Sequence, residues 1–453
     1  MTPLAHGIGV VRDLPVPAIY FFVGAVLVLV ASFVLLIVLW RRPLLEARAR
    51  GRGVPAAFGR VVLSRAVRII LGAASVGLLA LTLSAALLGT TVELLNFAPT
   101  FVYITFWLGL PLLSLLFGNV WSVLSPWRSL ADATVWLLER GGREARPVLE
   151  WSGAWGRYPA AGTLLAFVSL ELAHPDPGYP RTLAIAISLY SYWALAGMAV
   201  FGRDVWTQNG EGFAVAFGLL ARIAPFAARD GSVVVRWPFT GLAGDERVRG
   251  TLVFVGVMLG STGFDGFSRT SNWTNLVNDL RTNLLDSSQR VVDLAVTFLN
   301  LGGLALVIVT ILAAYLAAVA AAQALGHVDR SLVPDFVLPL VPIAAAYMVA
   351  HYFSLFIREG QFIIPLVSDP FGRGWDLFGT ADYAPNLAPV TQETIWYVQV
   401  AALVVGHVAG LAVAHDRAVE VFEGRRRALE AQLPMLGLMV VYTLGGMWLL
   451  TRA

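Results

Sequence analysis

The apolar run 337–357 carries a row of side chains that could bind a metal ion or transfer a proton. Tyr347, His351, Ser354 and Arg358 recur at spacings of four, three and four, which places them on one face of a helix. An ionisable side chain inside a membrane is costly unless it has a partner or a function. We therefore predict metal or proton chemistry at His351, against the common alternative of a buried imidazole satisfied by a neighbouring side chain.

A second row lies in the apolar run 393–415, where His407 is the ionisable residue farthest from either end. His415 and Asp416 follow at the inner end of the same run. Eight residues of helix separate the two histidines by about 12 Å, so they cannot share one metal ion unless the helix is broken. His407 is a second candidate for metal or proton chemistry, with the same alternative of a packed core residue.

Asp265 lies in the stretch GSTGFDGFSRTSNW, at the end of an apolar run. Gly260, Gly263 and Gly266 predict an interruption of the helix around it. A carboxylate at a broken helix could coordinate a cation together with the exposed carbonyl groups. The alternative is an Asp265–Arg269 pair that closes the helix end.

Two further acidic groups could supply ligands on the same side of the membrane. The segment 358–392 is the longest on that side, and it is predicted to be either a cap over a cavity or a passive connector. Its carboxylates complete a predicted metal set for an unidentified divalent ion: His351, His407, Asp265, Asp369 and Asp376. His351 and Asp265 are also the predicted catalytic residues. Separately, Glu171, His174 and Asp176 form either another cation site or a solvated turn.

The composition indicates a membrane protein. Of 453 residues, 57% are hydrophobic and 13% are charged, against roughly half and a quarter in soluble domains. The chain has no Cys, which excludes thiolate metal sites, and no Lys, which excludes a Walker-type phosphate loop. The HExxH and GxSxG motifs are missing as well, which disfavours zincin and serine-hydrolase mechanisms.

The apolar runs predict an all-α polytopic bundle of about ten transmembrane helices in a single domain. They lie at roughly 16–40, 69–90, 101–118, 159–174, 181–201, 251–267, 293–321, 337–357, 393–415 and 433–451. The fourth run is short. Because the basic cluster follows the first run, that run is predicted to be a retained helix and not a cleaved signal peptide.

The distribution of Arg predicts the orientation. If the runs alternate across the membrane, the loops on one side hold 24 of the 32 Arg residues. The positive-inside rule then places both termini outside, in a bacterial inner membrane. The predicted partner is the lipid bilayer, and the basic pI is not a sign of nucleic-acid binding. The 202–250 loop is predicted to carry an amphipathic interfacial helix around Gly212–Ile223, and the polar run 230–250 is predicted to be a short turn or hairpin.

Several blocks of the sequence resemble a known family. The stretches VPIAAAYMVAHYFSLF, SDPFGRGWDLFGTADY and IWYVQVAALVVGHVAGLAVAHDRA are similar to actinobacterial membrane proteins that carry the label fenitrothion hydrolase. GNVWSVLSPWRSL and STGFDGFSRT match other blocks of that family. The resemblance implies an integral membrane hydrolase of an organophosphate ester that works with a second membrane subunit. It carries no catalytic residues over to this chain.

The sequence leaves three functions open. In an enzyme, a metal held under the 358–392 segment would polarise a phosphoryl oxygen and activate water. In a transporter or metal-handling protein, His351, His407 and His415 would be successive stations across the bilayer. In a scaffold subunit of a membrane complex, the same histidines would be packed core groups.

Overall fold

The structure, a computed structural model, describes residues 17–452 and is mostly helical. The predicted start of the first run at residue 16 lies outside this range. In chain order the helices are α1 (Ala18–Leu39), α2 (Leu45–Arg48), α3 (Ala56–Val62), α4 (Arg65–Leu88), α5 (Phe97–Thr100), α6 (Leu110–Phe117), α7 (Trp121–Leu124), α8 (Pro126–Arg140), α9 (Tyr158–Ala173), α10 (Pro180–Phe201), α11 (Arg203–Asn209), α12 (Gly212–Leu220), α13 (Thr251–Ser268), α14 (Ser271–Asn283), α15 (Gln289–Gly326), α16 (Val333–Phe336), α17 (Leu340–Glu359), α18 (Ile363–Ser368), α19 (Gln392–Val421) and α20 (Arg425–Arg452).

The predicted helical membrane bundle is confirmed. Within residues 17–452, nine helices are long and apolar enough to cross a membrane, and the short fourth run forms the 16-residue helix α9. The third run is one continuous helix, Phe97–Phe117, because nine residues of π-helix at Phe101–Gly109 join α5 to α6. Turns of 3₁₀-helix lie at Glu93–Leu95, Thr240–Leu242 and Gly360–Phe362.

The predicted helix interruption around Asp265 is wrong. Helix α13 runs unbroken from Thr251 to Ser268. Its glycines instead allow α15 to approach: a Cβ on Gly260 would lie 2.4 Å from the side chain of Ile308. Small residues serve this purpose at helix contacts in membranes, since lipid provides no hydrophobic driving force for helix association.

The contact between α17 and α19 follows the same rule. A Cβ on Gly406 would lie 2.1 Å from that of Ala346, and one on Gly410 would lie 2.8 Å from the carbonyl oxygen of Pro339. These two helices are therefore in close backbone contact over about one turn of α19. They carry His351 and His407, so this contact fixes both histidines relative to each other.

The 202–250 region differs from its prediction in two respects. Helix α12 is not interfacial, because most of its side chains are buried among other helices, including Phe213, Phe217 and Leu220. A hairpin is present but begins earlier in the chain than the predicted run 230–250, as β2 (Phe226–Arg229) and β3 (Ser232–Val235). A third strand, β1 (Arg52–Gly53), pairs antiparallel with β3, giving the order β1-β3-β2.

An ion-pair cluster joins α16 to α19 on the same side of the bundle as this sheet. Asp335 is buried and accepts hydrogen bonds from Arg330 and, at 2.6 Å, from Arg417 Nη2. Burial alone would raise the pKa of Asp335, but the hydrogen bonds and charges of Arg330 and Arg417 lower that pKa below its ordinary value. The carboxylate therefore stays ionised and stabilises this corner.

The glycine contact of α15 gives a first prediction. Replacing Gly303 by Ala places a methyl group 2.4 Å from Trp273 and 2.5 Å from Phe264, whereas a Cβ on the adjacent Gly302 meets no atom within 4 Å. We expect Gly303→Ala to destabilise the protein by about 1–3 kcal/mol, as overpacking does. Gly302→Ala should leave the thermal unfolding midpoint in detergent unchanged or slightly higher. Equal midpoints for the two variants would contradict the close contact.

The Asp335 cluster gives a second prediction. Removing one partner of a buried ion pair costs about 3–5 kcal/mol, so Asp335→Asn should lower the thermal unfolding midpoint at pH 7. Because the folded-state pKa of Asp335 is depressed, its stabilisation is present above about pH 4 and is lost as pH falls through the folded-state pKa. The difference from wild type should therefore shrink in acid. Asp329→Asn, at an exposed carboxylate, is the control and should match wild type at both pH values.

Candidate functional site

The centre of the candidate site is a hydrogen-bonded pair between α13 and α17. Nε2 of His351 lies 2.7 Å from Oδ2 of Asp265, and both side chains are almost fully buried. Because a carboxylate accepts hydrogen bonds, this contact places the proton of the neutral imidazole on Nε2. The sequence predicted both residues separately, and the structure brings them into contact.

Two neighbours complete the hydrogen bonding of Asp265. The hydroxyl of Tyr352 donates to Oδ2 over 3.0 Å, and Nε of Arg269 lies 3.5 Å from Oδ1. Arg269 is one helical turn after Asp265, so the pairing that the sequence offered as the alternative is present together with the histidine contact. Oδ1 is thus next to the Arg269 cation, while Oδ2 faces the imidazole and the phenol.

A second buried carboxylate lies close to this group. Glu171, on α9, is 4% exposed and lies within electrostatic range of Asp265 and Tyr352. The sequence had grouped Glu171 with His174 and Asp176. Instead, His174 is exposed and accepts a hydrogen bond from the Asp176 backbone at the helix end, while Glu171 turns inward.

A very small cavity lies on the other side of His351. Its volume is about 10 Å³, and its walls include Thr262, Tyr347, His351 and Leu403. That volume is close to the minimum needed to hold one water molecule. The cavity places the imidazole and a hydroxyl group around one shared space.

His407 lies beyond this cavity, in the middle of α19. Its Nδ1 donates to the carbonyl oxygen of Leu403 over 2.8 Å, and its ring packs edge-on against Tyr347 at 5.9 Å. Nε2 is buried and has no hydrogen-bond partner in the described part of the chain. Three more polar atoms of α19 and α20 share that condition: Trp396 Nε1, Gln399 Oε1 and Tyr442 Oη.

His415 and Asp416, on α19, contact the residues that follow the end of α1. The ring nitrogens of His415 face Gln432 Oε1 at 2.7 Å and the carbonyl oxygen of Trp40 at 3.0 Å. Asp416 accepts hydrogen bonds from the indole of Trp40 and the backbone of Leu44. Both residues therefore hold the turn after α1 against α19.

The acidic residues of the 358–392 segment are engaged in its own turns. Asp369 accepts hydrogen bonds from the backbone of Arg373 and Gly374, and Asp376 accepts one from Ala381. The segment packs on the corner before α5, where the Phe97 amide donates to Pro370. Its role as a cap over a cavity stays a prediction.

The predicted metal set is thus divided among several places. Across residues 17–452, no three His, Asp or Glu side chains come together in a group that could hold a metal ion. Within the predicted set, His351 and Asp265 are in contact, whereas Asp369, Asp376 and His407 make the separate contacts given above. Catalytic zinc is usually held by three protein ligands, a number that the residues as placed do not reach. The metal stays a prediction.

One more buried carboxylate lies outside the sequence-predicted set. Glu211 caps the start of α12 through the Phe213 and Ala214 amides, and it accepts hydrogen bonds from the Tyr190 hydroxyl and from Nε1 of Trp121. Burial raises the pKa of Glu211, and these hydrogen bonds offset only part of the rise. Its role is to cap a buried helix and to orient two aromatic rings.

Comparisons with protein-family models, with curated proteins and with solved structures find no match to this chain. The resemblance to the family labelled fenitrothion hydrolase therefore stays a prediction. What the chain does has to be inferred from its own buried polar groups.

Proposed function

We propose that this chain moves protons in the membrane, with the Asp265–His351 pair as the central proton-binding group. The observation that carries the proposal is the 2.7 Å contact between these two side chains in the buried interior of the bundle. Ionisable groups inside a membrane are rare and commonly belong to proton or ion pathways. This is the transporter alternative of the three functions that the sequence leaves open.

The neighbouring groups support a path with more than one station. Negative charge on Glu171 and Asp265 would be balanced by His351 and Arg269, since buried charges are tolerated only when paired. On the far side, the small cavity connects His351 to Tyr347, whose ring packs on His407. His407 Nε2 would then accept the proton, because it has no other partner among the described residues.

The proposal also includes location and orientation. We place the chain in a bacterial inner membrane with both termini outside, because the Arg residues concentrate on one side. Asp265 is close to the end of α13 that this orientation places outside, whereas His407 lies mid-helix. The proton path would therefore begin near the outer surface.

Proton flux in liposomes tests the proposal directly. With a pH-sensitive dye inside and an imposed pH gradient, wild type should equilibrate the gradient faster than protein-free liposomes. Asp265→Asn and His351→Gln should each reduce the flux to the protein-free level, because each removes one member of the pair. His174→Gln, at the exposed histidine that follows α9, is the control and should behave as wild type.

Two outcomes would contradict proton movement. One is wild-type flux equal to that of protein-free liposomes in both directions of the gradient. The other is unchanged flux in Asp265→Asn and His351→Gln, provided that both variants elute as monodisperse protein.

The second candidate function is the hydrolysis of an organophosphate ester, as the family resemblance implies. It is favoured by the same pair in a different role. A carboxylate that orients an imidazole is the arrangement of a general base, and Arg269 lies beside it to stabilise negative charge. On this proposal His351 would take a proton from water, and a second membrane subunit would complete the enzyme. No step is assigned to a metal.

Activity and elemental analysis together test this second candidate. On this proposal, wild type purified without chelators hydrolyses a phosphotriester, and His351→Ala abolishes hydrolysis while His407→Ala retains most of it. If the metal prediction also holds, wild type carries one divalent metal ion per chain that His351→Ala loses. Unchanged hydrolysis in His351→Ala would contradict the enzyme proposal. Wild-type protein without bound metal would contradict the metal prediction.

A further inference from the structure

A large cavity lies between α4, the Phe97–Phe117 helix, α9 and α10. Its volume is about 960 Å³, near the upper end of the range of about 300–1,000 Å³ for small-molecule pockets. Its walls are mainly apolar and include Leu71, Phe101, Phe167 and Ile185. We propose that this cavity is a binding site for an acyl chain of a bilayer phospholipid.

Three aromatic residues of the wall direct their polar atoms away from the cavity. The hydroxyl of Tyr190 and the indole of Trp121 both donate to the buried carboxylate of Glu211. The indole of Trp127 donates to Ser191 over 2.9 Å. The ring faces that remain offer an apolar surface.

Three of the wall hydroxyls are also satisfied within their own helices. Ser75 donates to the carbonyl oxygen of Gly72, Thr82 to that of Leu78, and Thr163 to that of Pro159, all at 2.7–2.8 Å. A buried water molecule needs two to four polar partners, and these groups do not provide them. Hydrocarbon needs none, so the chemistry of the wall favours an alkyl chain.

The surroundings of the cavity identify the source of that chain. Leu78, Ile185 and Leu189 line it and are 42%, 64% and 66% exposed, on helices long and apolar enough to cross a membrane. Apolar side chains exposed on such helices face lipid. The cavity therefore opens to the hydrocarbon of the bilayer, where phospholipid chains are the most concentrated ligand.

This site is separate from the Asp265–His351 pair, and helix α9 divides the two. One face of α9 is buried in the bundle and carries Leu164, Val168 and Glu171. The other face lines the cavity with Gly162, Ala166, Phe167 and Leu170. The lipid proposal therefore stands whether or not protons move through the polar group.

Photocrosslinking in nanodiscs tests the proposal. The protein is placed in nanodiscs containing phosphatidylcholine with a diazirine on one acyl chain, irradiated, digested and mapped by mass spectrometry. We expect labelling of the cavity walls on α9 and α10 to exceed severalfold that of the exposed face of α15, represented by Leu306 and Val309.

A matched pair of variants distinguishes the cavity from ordinary lipid contact. Gly162 lines the cavity, whereas Gly77 is exposed on α4 outside it, and a Cβ on either meets no atom within 4 Å. Gly162→Phe fills the cavity and should reduce the wall labelling severalfold, whereas Gly77→Phe should leave it unchanged. Ala186→Phe, from the opposite wall, replaces Gly162→Phe if the latter is not monodisperse.

Three results would overturn the proposal. The first is equal labelling of the cavity walls and of α15. The second is unchanged wall labelling in both cavity-filling variants. The third comes from a parallel arm with unlabelled phospholipid and a diazirine fatty acid: cavity labelling by the free acid, without labelling by the phospholipid, would assign the site to a single-chain lipid.

Discussion

The cost of burying the charge of Asp265 constrains much of this bundle. A carboxylate in an apolar interior is tolerated only when it is paired and hydrogen bonded. The imidazole of His351, the phenol of Tyr352 and the guanidinium of Arg269 meet that requirement from two helices. Helices α13 and α17 must therefore keep one register, and any function of the site depends on that register.

Glycine packing provides the rigid frame that this register needs. Helix α15 lies close to α13 where glycines leave room, and α19 contacts α17 through Gly406 and Gly410. A helix pair held by backbone proximity cannot slide by a fraction of a turn without steric clash. The glycines that the sequence suggested would break α13 thus position Asp265 by an opposite mechanism, as packing surfaces of a continuous helix.

The sequence was sufficient to predict the helices but not to predict which helices pack against one another. Long apolar runs follow from the thickness of the bilayer, so the predicted all-α membrane bundle was confirmed, and His351 and Asp265 stood out as ionisable residues within the runs. Glu171 was considered together with His174 and Asp176 as a cation site or a solvated turn, although it shares a helix face with Leu164 and Val168. That periodicity was a usable signal. That α9 packs on α13, which brings the two carboxylates together, depends on tertiary contacts that one sequence does not contain.

Helix α9 shows why the polar groups and the apolar cavity can coexist within a few turns. Its inward face places Glu171 near charged partners, while its outward face is made of small and apolar side chains around Gly162. The helix backbone satisfies its own hydrogen bonds, so it separates a region that needs polar partners from one that offers none. A chain of hydrocarbon against one face lowers the local dielectric and strengthens the electrostatic interactions behind the other. The lipid and the carboxylates would then stabilise the same helix from its two sides.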